Sequence, residues 1–203
     1  FDVKQGEIFG LLGPNGAGKS STLECLEGLR APTVGSLQVA GLDPASEFHN
    51  LRNLIGVQLQ SAGLPESITP DEAMKFFCAY HNVPPRFDLL ERMGLAEKRT
   101  AQFYELSTGQ QRRLSLALAV PHNPKVLFLD EPTSGVDPVS RRKFWDLIYD
   151  MADAGVTTLV TSHYLDEDEF CDHLALLYQG RLIALGTPQE LKAAVGGEIL
   201  AIY

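Results

Sequence analysis

An α/β fold with a mainly parallel sheet is predicted by three features of this chain. A short apolar run, Glu7–Leu12, leads into Gly13-Pro14-Asn15-Gly16-Ala17-Gly18-Lys19-Ser20 and then into a helical pattern, so strand, glycine-rich loop and helix follow one another. Val126-Leu127-Phe128-Leu129 is a continuous apolar run, as a strand covered on both faces requires, and it ends in Asp130-Glu131. Between these two, residues from about 61 to 120 follow helical rather than strand patterns, which reads as a helical subdomain inserted into the α/β core.

The elements follow in order. A helix from Lys19 to about Leu29 has Leu23 and Leu26 on one face. Ser36–Val39 and Leu54–Gln60 are strand candidates separated by a polar, turn-rich stretch. Thr69-Pro70-Asp71-Glu72 is a helix start with a capping residue, Pro in the first turn and a capping-box Glu. Met74, Phe77, Cys78 and His81 then share a face that serves packing, and Pro84-Pro85 stops the helix. A shorter helix spans about Asp88–Met93, before Gly94. The next runs from Thr108 to about Val120, with Leu114, Ala117 and Leu118 on one face. Asp137 caps a helix over Pro138–Ala154, and Val156–Thr161 is the next strand. His173–Tyr178 and Arg181–Leu185 flank Gln179-Gly180 as a hairpin, giving the fold a truncated antiparallel β portion. Thr187-Pro188-Gln189-Glu190 starts a last short helix.

Composition excludes several classes. The 203 residues carry a formal charge of −9, against the clustered cations that a nucleic-acid partner demands. No apolar run reaches the roughly eighteen residues of a membrane span, so any membrane role comes through a partner. Cys25, Cys78 and Cys171 have no paired spacing and read as reduced thiols. The opening Phe1-Asp2-Val3 lacks a Met and alternates like the middle of a strand, so the chain is expected to be part of a longer one.

The glycine-rich segment carries the clearest chemistry. Gly13, Gly16 and Gly18 permit a loop whose backbone amides face phosphates, and the helix behind it adds its positive end. Pro14, Asn15 and Ala17 complete the loop. Lys19 is placed to neutralise the β- and γ-phosphates, Ser20 to ligate Mg2+, and Ser21 to add a hydroxyl. Parallel strands deliver functional groups at their C-terminal ends, which assigns Asp130 to Mg2+ and Glu131 to the attacking water. The expected ligand is a nucleoside triphosphate with Mg2+. His49, His81, His122 and His173 match no motif and read as structural.

Taken in order, the motifs resemble the nucleotide-binding domain of ABC transporters. Gly13–Ser20 is similar to the Walker A loop and Leu106-Ser107-Thr108-Gly109-Gln110 to the LSGGQ signature. Val126–Glu131 is similar to Walker B, Ser134-Gly135-Val136-Asp137 to the D-loop, and His163 to the switch histidine. The resemblance runs from end to end, and the signature discriminates, because other P-loop enzymes lack it. It implies a single ABC ATPase domain over 1–203, with Gln60, rather than Gln58, as the Q-loop glutamine that senses Mg2+ and water near the membrane subunit. It implies that His163 reaches the γ-phosphate, that Ser107, Gly109 and Gln110 contact ATP held by a second subunit, and that Asp137 is a dimer contact. Two chains, most simply a homodimer, would then pack head to tail around ATP, at the cytoplasmic face of the membrane, and drive export through a separate permease. The phrasing of Glu7–Ser20, Leu106–Pro132 and His163–Gly186 is most similar to exporters of drugs, antibiotics or lipids.

Two departures stand out. Thr108 replaces the commonest Gly of the signature, restricting the backbone there. The family's N-terminal strands and adenine-stacking aromatic lie upstream of Phe1, which implies weaker ATP binding than in a longer chain. The rivals are a soluble ABC-type ATPase of DNA repair or translation and a nucleotide-dependent regulator. Against the first, the chain has no long coiled-coil insertion, second cassette or basic surface; against the second stand Lys19, Asp130, Glu131 and His163.

Overall fold

The computed structural model describes residues 1–58, 63–162 and 169–194. Six strands form one sheet: β1 (Ile8–Leu12), β2 (Ile55–Gln58), β3 (Val126–Asp130), β4 (Thr157–Ser162), β5 (His173–Tyr178) and β6 (Arg181–Gly186). Their order is β2-β3-β4-β1-β5-β6. All neighbours are parallel except β5 and β6, which pair as the antiparallel hairpin. Parallel neighbours cannot be joined by tight turns, so each connection must cross a face of the sheet. The helices that make or extend those crossings are α1 (Lys19–Leu26), α2 (Phe48–Leu51), α3 (Pro70–Tyr80), α4 (Phe87–Arg92), α5 (Thr108–Ala119) and α6 (Pro138–Asp153), and α7 (Pro188–Ala194) follows the last strand.

The period of two along each strand divides the core between the two faces. Ile8 and Leu12 of β1 and Leu127 and Leu129 of β3 join one cluster with Met74, Leu90, Leu114 and Trp145 from α3, α4, α5 and α6. Phe9, Leu11, Phe128 and Leu159 join the other with Leu23 of α1 and Leu51 of α2. The helices between β2 and β3 therefore share a continuous core with the sheet.

Local chemistry sets the helix starts. The Thr69 hydroxyl accepts from Glu72 N–H at 3.3 Å while the Glu72 carboxylate accepts from Thr69 N–H at 2.9 Å. That reciprocal box is what the sequence predicts for α3. Asp137 caps α6 by accepting from Val139 and Ser140 N–H at 3.1 and 3.0 Å, and the Ser140 contacts hold its carboxyl below the usual range.

Three expectations shift. Helix α1 ends at Leu26 rather than near Leu29, because Gly28 turns into left-handed backbone at φ 77°. Ser36–Val39 is not a strand: Val39 and Leu42 exchange both backbone hydrogen bonds across Ala40 and Gly41, at φ 51° and 83°, so the segment folds on itself. The turn-rich stretch that follows carries the one-turn helix α2, and two short 3-10 turns, Ala96–Lys98 and Phe103–Glu105, precede α5.

A groove of about 270 Å³ lies between α1, α2, β2, α3 and the C-terminal end of α5. Its titratable lining comprises Glu27, Arg52, Tyr80, His81 and His122. The His81 and His122 rings stack in parallel at 3.7 Å, and His122 Nε2 donates to the Ile55 carbonyl at 2.9 Å. Burial, then the His122 and Arg52 charges, pushes His81 down to about 4; burial also lowers His122, against its bond to Ile55. Burial, then Asp130 and Glu24, raises Glu27 to about 7.

These shifts have opposite signs for stability. An unfolded histidine titrates near 6.5, so on acidification the unfolded chain takes up its proton first, and the histidine contribution is lost as pH falls from about 6.5 to about 4. The Glu27 contribution is complete below about 4.5 and lost as pH rises through about 7. Glu27→Gln therefore exposes the histidine slope: its melting temperature should fall steadily between pH 6.5 and 4. Adding His81→Phe should flatten that slope in thermal unfolding, and an unchanged slope would show that the stack is not its source.

Candidate active site

The glycine-rich loop leaves the C-terminal end of β1 and rests on the β5–β6 hairpin. A Cβ on Gly13 would lie 2.3 Å from the Leu177 carbonyl oxygen, so only glycine admits this contact. Across the hairpin turn, where Gln179 and Gly180 have φ 47° and 74°, Gly180 N–H donates to the Ala17 carbonyl at 3.0 Å. Gly18, at φ 103°, is the N-cap of α1 and supplies no side-chain cap, leaving the helix start open to an anion.

Lys19 is 5% exposed and folds back over the loop, its Nζ donating to the Gly13 carbonyl at 2.7 Å and the Pro14 carbonyl at 3.3 Å. Burial lowers its pKa, against the charges of Glu131 and Asp130. The loop opens on a polar cleft of about 400 Å³ lined by Asn15, Gly16, Gly18, Lys19, Ser20, Ser21 and Glu131. Glycine-loop amides, one ammonium and exposed hydroxyls on one wall, with a carboxylate opposite, suit a polyphosphate and a hard cation.

Asp130 ends β3 and faces Thr161 of β4. The Thr161 hydroxyl donates to Asp130 Oδ1 and accepts from Glu131 N–H at 3.0 Å. Glu131 has left-handed backbone, φ 45°, which turns it away from the strand direction and into the cleft. Such a conformation costs a non-glycine residue of order 1–2 kcal/mol.

The signature residues form their own structure at the start of α5. The Ser107 hydroxyl accepts from Gln110 N–H at 3.3 Å, and Gln110 Oε1 accepts from Ser107 N–H at 2.9 Å. Gly109 is buried against Ser140 and Val136, so the signature packs on the start of α6 within the same chain. Ser107, Gly109 and Gln110 do not line the phosphate-loop cleft. The structure thus brings Gly13–Ser21, Asp130 and Glu131 together and sets the signature and Asp137 apart.

Gln60 and His163 lie outside the described residues. Gln58 is described: it is buried at the end of β2, and its amide has no hydrogen-bond partner among the described residues. Sequence reasoning missed two residues near the carboxylates. Thr161 is one; nothing in the strand Thr157–Ser162 singles it out from the hydroxyls of Thr157, Thr158 and Ser162 beside it. Arg112 of α5 is the other, its pKa lowered by burial and partly restored by the charge of Glu131.

Fold and cleft together define a P-loop nucleotide-binding α/β domain that carries an LSGGQ-like signature. The ABC transporter family profile matches residues 1–134. The chain belongs to the ABC transporter family. It is 44% identical over 199 residues to "Probable multidrug ABC transporter ATP-binding protein YbhF" of Escherichia coli K12, which covers 95% of this chain and 34% of that protein. The chain thus spans about a third of the length of that relative. It is 40% identical over 214 residues to "Nod factor export ATP-binding protein I" of Burkholderia pseudomallei strain 1710b, covering 100% of this chain and 69% of that one. To "Daunorubicin/doxorubicin resistance ATP-binding protein DrrA" of Streptomyces peucetius it is 39% identical over 209 residues, covering 100% and 63%. Among solved structures, cbiO1 from Clostridium perfringens, described as part of the ABC transporter complex cbiONQ, superposes with a TM-score of 0.85 at 28% identity. That match covers 100% of this chain and 86% of cbiO1. The dimeric ATP-binding cassette MJ0796 bound to ADP and Pi, at TM-score 0.84 and 23% identity, covers 93% and 88% and shares the fold.

The Gly13 contact yields a test. Gly13→Ala forces its methyl against the Leu177 carbonyl and should cost about 2–3 kcal/mol, as strained backbone sites do. The melting temperature should fall by roughly 4–12 °C for a chain of this size. Calorimetry should show no ATP binding by the folded variant, and wild-type affinity would disprove the contact's role.

Proposed function

We propose that this cassette binds ATP with Mg2+ between two head-to-tail copies and hydrolyses it to drive export through a separate transmembrane permease. One observation carries the reading: the phosphate loop and Glu131 line one cleft, with Asp130 beside Glu131 and its charge acting on Lys19, while the signature is formed and capped at a place that does not line it. A second copy supplies the missing wall. In that arrangement Asp137 lies beside the signature that meets the partner, since Gly109 packs against the first turn of the helix that Asp137 caps.

The residues present fit Mg2+. The ion takes oxygen ligands and shares its shell with substrate phosphates, so one carboxylate and one hydroxyl suffice. Asp130 and Ser20 would hold it, with Gln60 as a further ligand; no cluster of three or more His, Cys, Asp or Glu is needed, and none occurs among the described residues. When bound, the ion offsets negative charge on the β- and γ-phosphates.

Glu131 acts as the base that orients the attacking water, and its left-handed backbone carries the carboxylate into the cleft. Lys19 exchanges its loop carbonyls for phosphate oxygens, a trade of neutral acceptors for charged ones. Burial of that ammonium favours the trade, because its charge is only partly compensated by Glu131 and Asp130. His163 then reaches the γ-phosphate.

The groove beside β2 and α3 supports the permease as partner: Phe48 and Tyr80 are exposed there, next to the strand that leads to Gln60, and α3–α5 serve as the inserted helical subdomain. No helix among the described residues is long and apolar enough to cross a membrane, so the cassette would reach the cytoplasmic face through that subunit. Export is supported by the relatives named for Nod factor export and for daunorubicin/doxorubicin resistance.

Glu131→Gln tests this directly. Phosphate release should fall by roughly 10²–10⁴-fold, the usual worth of a positioned base, while ATP binding persists. Light scattering of the ATP-loaded variant should then show a dimer that reverts to monomer once nucleotide is removed. Wild-type turnover in this variant would remove Glu131 from its role.

A further inference from the structure

We infer that Thr161 is the positioning residue of the Asp130-Glu131 pair: one hydroxyl aims the Asp130 carboxylate and pins the Glu131 backbone. The inference rests on the roles proposed for those two acids and adds what holds them.

Thr161 is fully buried at the end of β4, in register with Asp130 across the β3–β4 ladder. A hydroxyl has one hydrogen to donate. Thr161 donates it to Asp130 Oδ1, which fixes its rotor and leaves a lone pair for Glu131 N–H at 3.0 Å. Two consequences follow for the neighbours. Asp130 has one oxygen committed and the carboxylate plane set, so its second oxygen presents in a defined direction. Glu131 has its N–H satisfied where the chain leaves the strand into left-handed backbone at φ 45°, so the turn that delivers its carboxylate to the cleft is anchored at its first atom.

The same strand contains its own comparison. Thr158 is equally buried, three residues earlier, yet its hydroxyl has no hydrogen-bond partner among the described residues. Thr157, the third buried threonine of β4, accepts from Gly6 N–H at 3.0 Å, away from the acids, so burial in β4 does not by itself set a hydroxyl's partner; of the three only Thr161 meets the acids. Residues that orient the first ligands of an ion typically change its affinity, or the activity, by about 10–100-fold when lost.

The test uses the full chain and four substitutions: Thr161→Val, Thr161→Ser, Thr158→Val and Glu131→Gln. Valine keeps the shape of threonine and removes both bonds; serine keeps both bonds and removes a methyl. Thr161→Val should lower kcat for ATP by about 10–100-fold with KM changed less than about threefold, and should weaken Mn2+ binding, followed by electron paramagnetic resonance with a non-hydrolysable ATP analogue, by about tenfold. Thr161→Ser should return both to within about threefold of wild type, and Thr158→Val should match wild type throughout. If Thr161→Val does not fold, Thr161→Ala against Thr161→Ser reads the same contrast. Wild-type kcat and Mn2+ affinity in Thr161→Val, beside an inactive Glu131→Gln, would overturn the inference, as would a Thr161→Ser variant as impaired as the valine. Full activity in Glu131→Gln would instead remove the assigned role of Glu131, and the Mn2+ measurement would still decide whether Thr161 aims Asp130.

Discussion

The register of the parallel sheet is the constraint from which the site follows. Leu12 of β1 pairs with Ser162 of β4, Asp130 of β3 with Thr161, and Gln58 of β2 with Leu129, so these strands end within about a residue of one another. A slip by one residue would turn every core side chain to the opposite face, and both faces are packed, so the register is locked from both sides. The phosphate loop leaves β1 at the level where β3 delivers its acids and β4 its hydroxyl. The hairpin β5–β6 supports that loop from the remaining side through Gly13 and Ala17.

Local signals made most of this legible. Caps written in short spans, such as Thr69–Glu72 and Asp137–Ser140, form as read because both partners lie within one helical turn. Strands β1 and β3 were legible because burial on both faces demands near-continuous apolar runs, while β4 carries hydroxyls at four of its six positions. What sequence could not supply depends on contacts distant in the chain. Ser36–Val39 has the residues of a strand, yet strand character needs a ladder, and Val39 bonds back to Leu42 instead. In the site, the glycines, Lys19, Asp130 and Glu131 were readable from one contiguous pattern each. Thr161 was not, since its role exists only once β3 and β4 lie side by side.

The same limit applies to the histidines. His81 and His122 match no motif, and their separation by forty-one positions (122 − 81) conceals a stacked pair that links the end of α3 to the turn after α5. The stack sits in the groove with Glu27, and Glu27 in turn feels the charge of Asp130. A buried carboxyl thus lies electrostatically between the nucleotide cleft and the groove proposed to face the permease.

The capped signature bears on why two copies would associate only with nucleotide between them. Ser107 and Gln110 satisfy each other's backbone amides, so the unpartnered helix start leaves neither of those donors orphaned. A neutral, internally bonded cap has little reason to bind a protein surface alone. A γ-phosphate offers what the box lacks: full negative charge at a helix N-terminus, where charge-assisted bonds are roughly twice as strong as neutral ones. Thr108, exposed at the first helical position, keeps its side chain out of that box, and its methyl reaches toward Gly135. The threonine therefore occupies the signature without displacing its neighbours. The resting cap is self-sufficient, and in the proposed dimer the added phosphate charge turns it into a contact that ends once that charge departs.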